Sequence, residues 1–314
     1  MSFRIKKYSD SDKSIWNEFL LTCKNYHFMF NRDFIEYHSD RFKDYSLIIL
    51  DEKNKIVCLL PGNLDKRIFY THQGLTFGGF LINKNIHASD LLEIFDILKS
   101  HLKDSGIEKI IYKCIPTIYH KYPAQEDLYV LFRSDAKLYR RDISSSIYLE
   151  DGFKYSKGRK WGINKAKKEG VICKILDKPS GVWPLIREVL SENHGTSPVH
   201  TEIEIDYLKQ KFPNYIKVYA AFLNEKIISA AVTFETDQVV HTQYLACGKV
   251  GRNICALDLL IDFIIFESSK YAKVFDFGIS NEDNGRYLNT GLISQKESFG
   301  ARAIVHDFYS VDII

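Results

Sequence analysis

His241 lies in the apolar run Val239-Val240-His241-Thr242-Gln243-Tyr244-Leu245-Ala246, where strand alternation places His241, Gln243 and Leu245 on one face and Thr242 and Tyr244 on the other. A neutral imidazole, with an ordinary pKa of about 6.5, suits removal of a proton from an ammonium group at neutral pH. His194 and His200, in and beside the polar loop 193–200, are candidates for the same task. A carboxylate is the other route: Glu282 and Asp283 follow the strand that ends in Asp276-Phe277-Gly278, either as base and amine-orienting group or as solvated loop acids. Asn284, Arg286 and Lys296 come next. A guanidinium can bind phosphate oxygens bidentately, whereas Lys296 fits a phosphate contact or a salt bridge equally well. Polar groups crowded at the end of a core strand mark the usual place for chemistry in α/β proteins. Asp276 sits inside an apolar strand, so burial requires that it be hydrogen-bonded.

The elements that must position these residues occur twice, in a pattern offset by about 165–170 residues. A strand at 46–50, a turn and a return strand at 55–60 find their counterparts at 217–222 and 226–232. Each half then has a helix (89–103 and 256–270) and a short buried strand (109–114 and 273–277). Thr201 with Glu204 forms a capping box, so a helix is predicted over 202–212, stopped by Pro213. Another strand is predicted at 146–149. The whole reads as α/β (α+β) in class: two tandem domains, 1–142 and 143–314, each a mixed, largely antiparallel sheet flanked by helices.

At 314 residues, with 45% hydrophobic and 26% charged content, the chain can bury the cores of two such domains. Charge in the first seven residues argues against a secretory signal, and the most apolar helix candidate, 256–266, is too short to span a bilayer. The expectation is a cytoplasmic protein. Six cysteines with no C-x-x-C pair point to inert buried thiols rather than a metal site or disulfide framework. A net charge of +3 does not imply a nucleic-acid partner, yet residues 154–168 hold seven basic residues and no acidic one. That run is either a solvated helix face or a dock for something anionic.

Three stretches of the second half carry a resemblance: Lys157 to Gly170, Asp276-Phe277-Gly278, and Gly291 to Gly300, which contains Lys296-Glu297-Ser298-Phe299-Gly300. The last is similar to the Lys-x-x-Phe-Gly signature of Fem-like domains. Together with the element order, it makes the chain resemble the tandem-domain, Fem-like branch of the GNAT-superfamily N-acyltransferases. With Asn284-Gly285-Arg286-Tyr287-Leu288-Asn289 before it, the run looks most like members acting on nucleotide-linked amino sugars for surface polysaccharides.

The resemblance implies direct attack of an amine on acyl-CoA, no metal, and splayed central strands that receive the pantetheine arm. Tyr244, Leu245 and Ala246 would line that arm, and Lys249, Gly251, Arg252 and Asn253 the pyrophosphate. Of the family's Gln/Arg-x-x-Gly-x-Gly/Ala loop only Gly251 is matched, so 248–253 reads either as a phosphate loop or as a strand-to-helix turn with two solvated cations. His200, His241 and Glu282 would be the catalytic candidates. His194, Gln243, Asp283, Asn284, Arg286 and Lys296 would meet the substrate. Implied partners are small molecules, acyl-CoA and a nucleotide-linked amino sugar, with no nucleic acid. Two other readings stand beside this one: a Fem-type aminoacyl-tRNA-dependent transferase on a cell-wall precursor, and a non-catalytic GNAT-like binding module.

Overall fold

A computed structural model describes residues 3–313, apart from the side chains of residues 193 and 194. The chain forms two compact units that are not contiguous in sequence. The first contains residues 1–142, 283–286 and 305–314, and the second contains 143–282 and 287–304. A single cut after residue 142 therefore leaves a four-residue turn and the C-terminal strand on the wrong side.

In the first unit β1 (Arg4–Lys7), β3 (Leu47–Leu50), β4 (Ile56–Leu60) and β7 (Leu81–Ile82) form an antiparallel sheet. The other strands are β2 (Lys43–Asp44), β5 (Asn63–Asp65), β6 (Ile68–Tyr70) and β8 (Lys109–Lys113). They pair in the order β8-β6-β5-β2, with β6 parallel to β8. Part of β17 (Arg302–Asp312) completes this set, its residues Phe308–Asp312 antiparallel to Lys109–Lys113. Helices α1 (Lys13–Leu20), α2 (Arg32–Ile35), α3 (Ala88–Asp104) and α4 (Glu126–Arg133) complete the unit. Leu91, Ile94, Phe95, Leu98 and Leu102 make one apolar stripe on α3, buried against Leu47, Leu60, Phe69 and Ile110.

The second unit takes residues 143–148 of β9 (Lys137–Tyr148), then α5 (Lys157–Lys168), β10 (Ile172–Leu176), α6 (Trp183–His194) and α7 (Glu202–Lys211). There follow β11 (Ile216–Leu223), β12 (Lys226–Glu235), β13 (Val239–Cys247), α8 (Lys249–Asn253), α9 (Ala256–Ser268) and β14 (Val274–Ile279). A short hairpin, β15 (Asn281–Glu282) with β16 (Tyr287–Leu288), precedes α10 (Thr290–Glu297). The sheet order is β10-β11-β12-β13-β14-β9. Its pairs are antiparallel except β13 with β14. This is the mixed, largely antiparallel sheet that the sequence predicts.

Local chemistry explains the ends of these elements. Thr201 Oγ1 accepts from the Glu204 amide at 3.2 Å and Glu204 Oε2 from the Thr201 amide at 2.7 Å, closing the predicted capping box. Asn224 and Glu225, φ 46° and 65°, form the two-residue hairpin between β11 and β12. Positive φ at both positions gives a turn whose twist matches the strands. Helices α5 and α9 cover one face of the sheet, where Ile163, Ala166, Leu260 and Ile264 pack on Tyr219, Ala231 and Val240. Helix α6 covers the other face, with Trp183 edge-on to Tyr244 at 5.2 Å between ring centroids.

Alternation along β13 breaks where the sequence gives no sign of it. Thr233 faces Thr242 and Val232 faces Tyr244, so Gln243 is an inserted bulge residue. The bulge returns Leu245 to the α9 face with Thr242, and turns Tyr244 to the α6 face with His241. The predicted grouping of His241 with Leu245, and of Thr242 with Tyr244, is thereby corrected.

Candidate functional site in the second unit

Strands β13 and β14 are paired only from Val239↔Val274 to His241↔Asp276. Both continue beyond that pair, to Cys247 and Ile279, and each turns away just past it. On β13 the turn is the Gln243 bulge. On β14 it is Gly278, at φ +77°, together with a register shift against β9 between Asp276 and Ile279.

Side chains satisfy the edge of β14 that this divergence leaves. Thr242 Oγ1 donates to the Phe277 carbonyl at 3.1 Å, and Lys296 Nζ donates to the carbonyls of Gly278 and Ile279 at 2.8 and 2.7 Å. Buried carbonyls without partners would each cost about 1–3 kcal/mol, so these contacts hold the strands apart at little loss. Lys296, from α10, is thus a clamp on a strand end rather than half of a salt bridge. Burial pushes its pKa down to about 8, with Asp276 opposing that shift.

A cavity of about 420 Å³ adjoins the divergence, bounded by Leu245, Leu257, Ile261, Phe277 and Leu292, with Arg159, Arg252 and Lys296 as its cations. Arg159 reaches it from α5 and is held by Asp258 at 2.5 Å and Ser298 Oγ at 2.6 Å. Burial raises the pKa of Asp258 against the lowering influence of Arg159. Arg252 makes no side-chain hydrogen bond or ion pair among the described residues.

On the α6 face, His241 Nδ1 lies 2.7 Å from Asp276 Oδ2, and Asp276 Oδ1 accepts from Ser144 Oγ at 2.7 Å and Ser146 Oγ at 2.8 Å. Asp276 is fully buried and hydrogen-bonded, as its place in an apolar strand requires. An acceptor at Nδ1 makes that nitrogen the donor, which leaves Nε2 of a neutral ring to accept a proton. The two serines were not among the residues singled out from sequence. Their only signal was the run Ser144-Ser145-Ser146 beside an apolar strand.

The remaining candidates are dispersed. His200 is buried on Tyr244 and Phe234, its Nδ1 2.7 Å from the Tyr244 hydroxyl, which burial pushes up to about 12. Its surroundings are those of a packing residue. Tyr244 and Ala246 share that face and do not line the cavity, whereas Leu245, Gly251 and Arg252 do. Lys249 is exposed, 3.9 Å from Glu192, and the Asn253 carbonyl accepts from Lys165 Nζ at 2.7 Å. Glu282 is exposed and accepts from Asn289 Nδ2 at 3.2 Å. Asp283, Asn284 and Arg286 belong to the first unit, where Arg140 Nη1 donates to Asn284 Oδ1 at 3.4 Å. The side chain of His194 lies outside the described residues.

No protein-family model matches the sequence, and no curated protein matches it. Solved structures do. FemX superposes with a TM-score of 0.69 at 10% identity over 97% of this chain and 96% of that one. L-PGS from Bacillus licheniformis gives 0.58 at 14% identity over 83% and 82%. A tandem GNAT protein from the clavulanic acid biosynthesis pathway gives 0.55 at 9% identity over 100% and 99%. Across its whole length, then, this chain has the fold shared by FemX and tandem GNAT proteins.

Proposed function

We propose that the protein is an N-acyltransferase whose second unit takes an acyl group from acyl-CoA and passes it to the amine of a nucleotide-linked amino sugar, dTDP- or UDP-bound. The observation that carries the transferase reading is the parting of β13 from β14 after His241, beside a cavity with apolar walls and three cations. A β13 edge released from its ladder can offer backbone hydrogen bonds to an extended, amide-containing arm. The apolar walls suit its methylenes, and Arg252 suits phosphate oxygens at the mouth. The acceptor class follows from the motif spanning residues 284–300 and rests on that resemblance alone.

In the reaction the amine nitrogen forms a bond to the thioester carbon, the carbon–sulfur bond breaks, and the thiolate takes a proton. His241 Nε2 is assigned the amine proton, and the Asp276 carboxylate stabilises the imidazolium that results. The Lys296 ammonium, in the cavity wall, opposes negative charge developing on oxygen or sulfur. Nothing in this scheme calls for a metal ion.

The test is a melting-temperature screen with acetyl-CoA, longer acyl-CoAs and dTDP- or UDP-amino sugars, followed by measurement of free-thiol release. A ligand at a hundred times its Kd stabilises the fold by about 2.7 kcal/mol. His241→Ala should lower kcat at least a hundredfold while the acyl-CoA shift persists. Acyl-CoA binding without turnover of any amine would identify a binding module. A shift with aminoacyl-tRNA and none with acyl-CoA would replace the donor.

A further inference from the structure

Helix α5 holds Gly162, Ile163 and Ala166 against α9 and sends Lys157, Trp161, Asn164 and Lys168 outward, at i, i+4, i+7 and i+11. Trp161 is 61% exposed, whereas Trp16 and Trp183 are 0% and 2% exposed. A large flat ring left mostly in water on a helix surface is available to stack with a flat ligand. Its neighbours indicate which. Lys165 Nζ lies 5.2 Å from the centre of the Trp161 ring and donates to the Asn253 carbonyl, next to cavity-lining Arg252. Arg159, one turn back from Ile163, lines the same cavity. Lys157, Lys160 and Lys168 make no ion pair among the described residues. The rest of the chain is net acidic, so the positive charge is concentrated here.

We infer that Trp161 is the stacking platform for a phosphorylated nucleoside, and that the nucleoside is the adenine nucleotide end of the acyl donor. This rests on the acyl-CoA reading above and extends it from the arm to the base. A flat ring beside cations matches a base carrying phosphates: the ring meets the π-face, and Lys165, Arg252 and Lys157 meet the phosphate oxygens. The bond from Lys165 to Asn253 places the ring beside the loop that carries cavity-lining Arg252, which favours the donor over the acceptor as the source of the nucleotide.

The part of the intrinsic-fluorescence quenching that is lost in Trp161→Leu reports on Trp161, since Trp16 and Trp183 remain in that variant. CoA is expected to quench it, and pantetheine, which lacks the nucleotide, is expected to bind without quenching. Trp161→Leu should abolish quenching and raise the Kd for CoA about tenfold, with the Kd for pantetheine unchanged by calorimetry. Lys165→Gln should weaken CoA alone, and its melting temperature shows whether the fold is kept. Quenching by UDP or dTDP sugars but not by CoA gives the platform to the acceptor and overturns the donor assignment. Quenching only by RNA, or a blue shift only with vesicles containing anionic lipid, overturns the inference altogether. If pantetheine thioesters are turned over while CoA leaves Trp161 unaffected, this inference fails and the acyltransferase reading stands. If neither pantetheine nor CoA binds, both fail.

Discussion

Lys296 carries a measurable cost for its position. The residue is 5% exposed, and burial holds its pKa at about 8, against 10.5 for a free lysine. Below pH 8 the group is protonated in both folded and unfolded chains, and the folded state bears the full penalty. From pH 8 towards 10.5 the folded lysine loses a proton that the unfolded chain keeps, so stability rises with pH. Lys296→Met lacks this term. Its stability relative to wild type should therefore fall between pH 8 and 10, with a limiting slope of about 1.4 kcal/mol per pH unit. Denaturant midpoints at pH 7, 8, 9 and 10 measure it. Buried cysteines and tyrosines, raised by burial, also titrate there, but they cancel in the difference between the two proteins. A difference that stays flat across the window would mean that Lys296 is not held as described. At the same scale, the sequence foresaw that Asp276 needs partners but not that His241 is one, because pairing across β13 and β14 is set by strand register.

Two glycines show how differently one residue type serves its element. A Cβ at Gly251 would stand 2.5 Å from the Ile228 carbonyl oxygen and 2.9 Å from Cys247 Sγ, so the residue lets α8 lie directly on the end of β12. Its match to a phosphate-loop pattern has a packing cause of its own. A Cβ at Gly158, in the exposed first turn of α5, would meet only Ser156 Oγ at 3.9 Å. Gly251→Ala should destabilise by about 1–3 kcal/mol through overpacking against backbone. Gly158→Ala should stabilise by about 0.5–1 kcal/mol through helix propensity. Melting curves of the two variants should move in opposite directions, and a neutral Gly251→Ala would remove the packing argument. Element existence was readable from sequence: the 201/204 box, the paired hairpins and the helix before each buried strand rest on local periodicity and capping. The Gln243 bulge was not. It depends on partner register, and it put Tyr244 on the face of His241 and Leu245 on the face of Thr242.

At the scale of the whole molecule, the last ten residues and the turn 283–286 belong with the first unit, although both follow the second unit's main strands in the chain. The internal repeat revealed two similar halves; it could not reveal that the C-terminal strand returns, since a strand's pattern names a buried face and not its neighbour. The consequence can be tested. Phe308–Asp312 pair with Lys109–Lys113, and Val311 is in the first unit's core. Arg141 forms a bidentate pair with Asp307 at 2.6 and 2.7 Å. A fragment of residues 1–142 would expose one edge of β8 and lose the side chain that closes that part of the core, and an open edge both destabilises and invites aggregation. The fragment should melt without a cooperative transition or aggregate, and a synthetic peptide of residues 305–314 added in trans should restore a transition whose midpoint rises with peptide concentration, because the peptide binds only the folded form. Cooperative melting of 1–142 alone, unchanged by the peptide, would show that the first unit is complete without its returning strand.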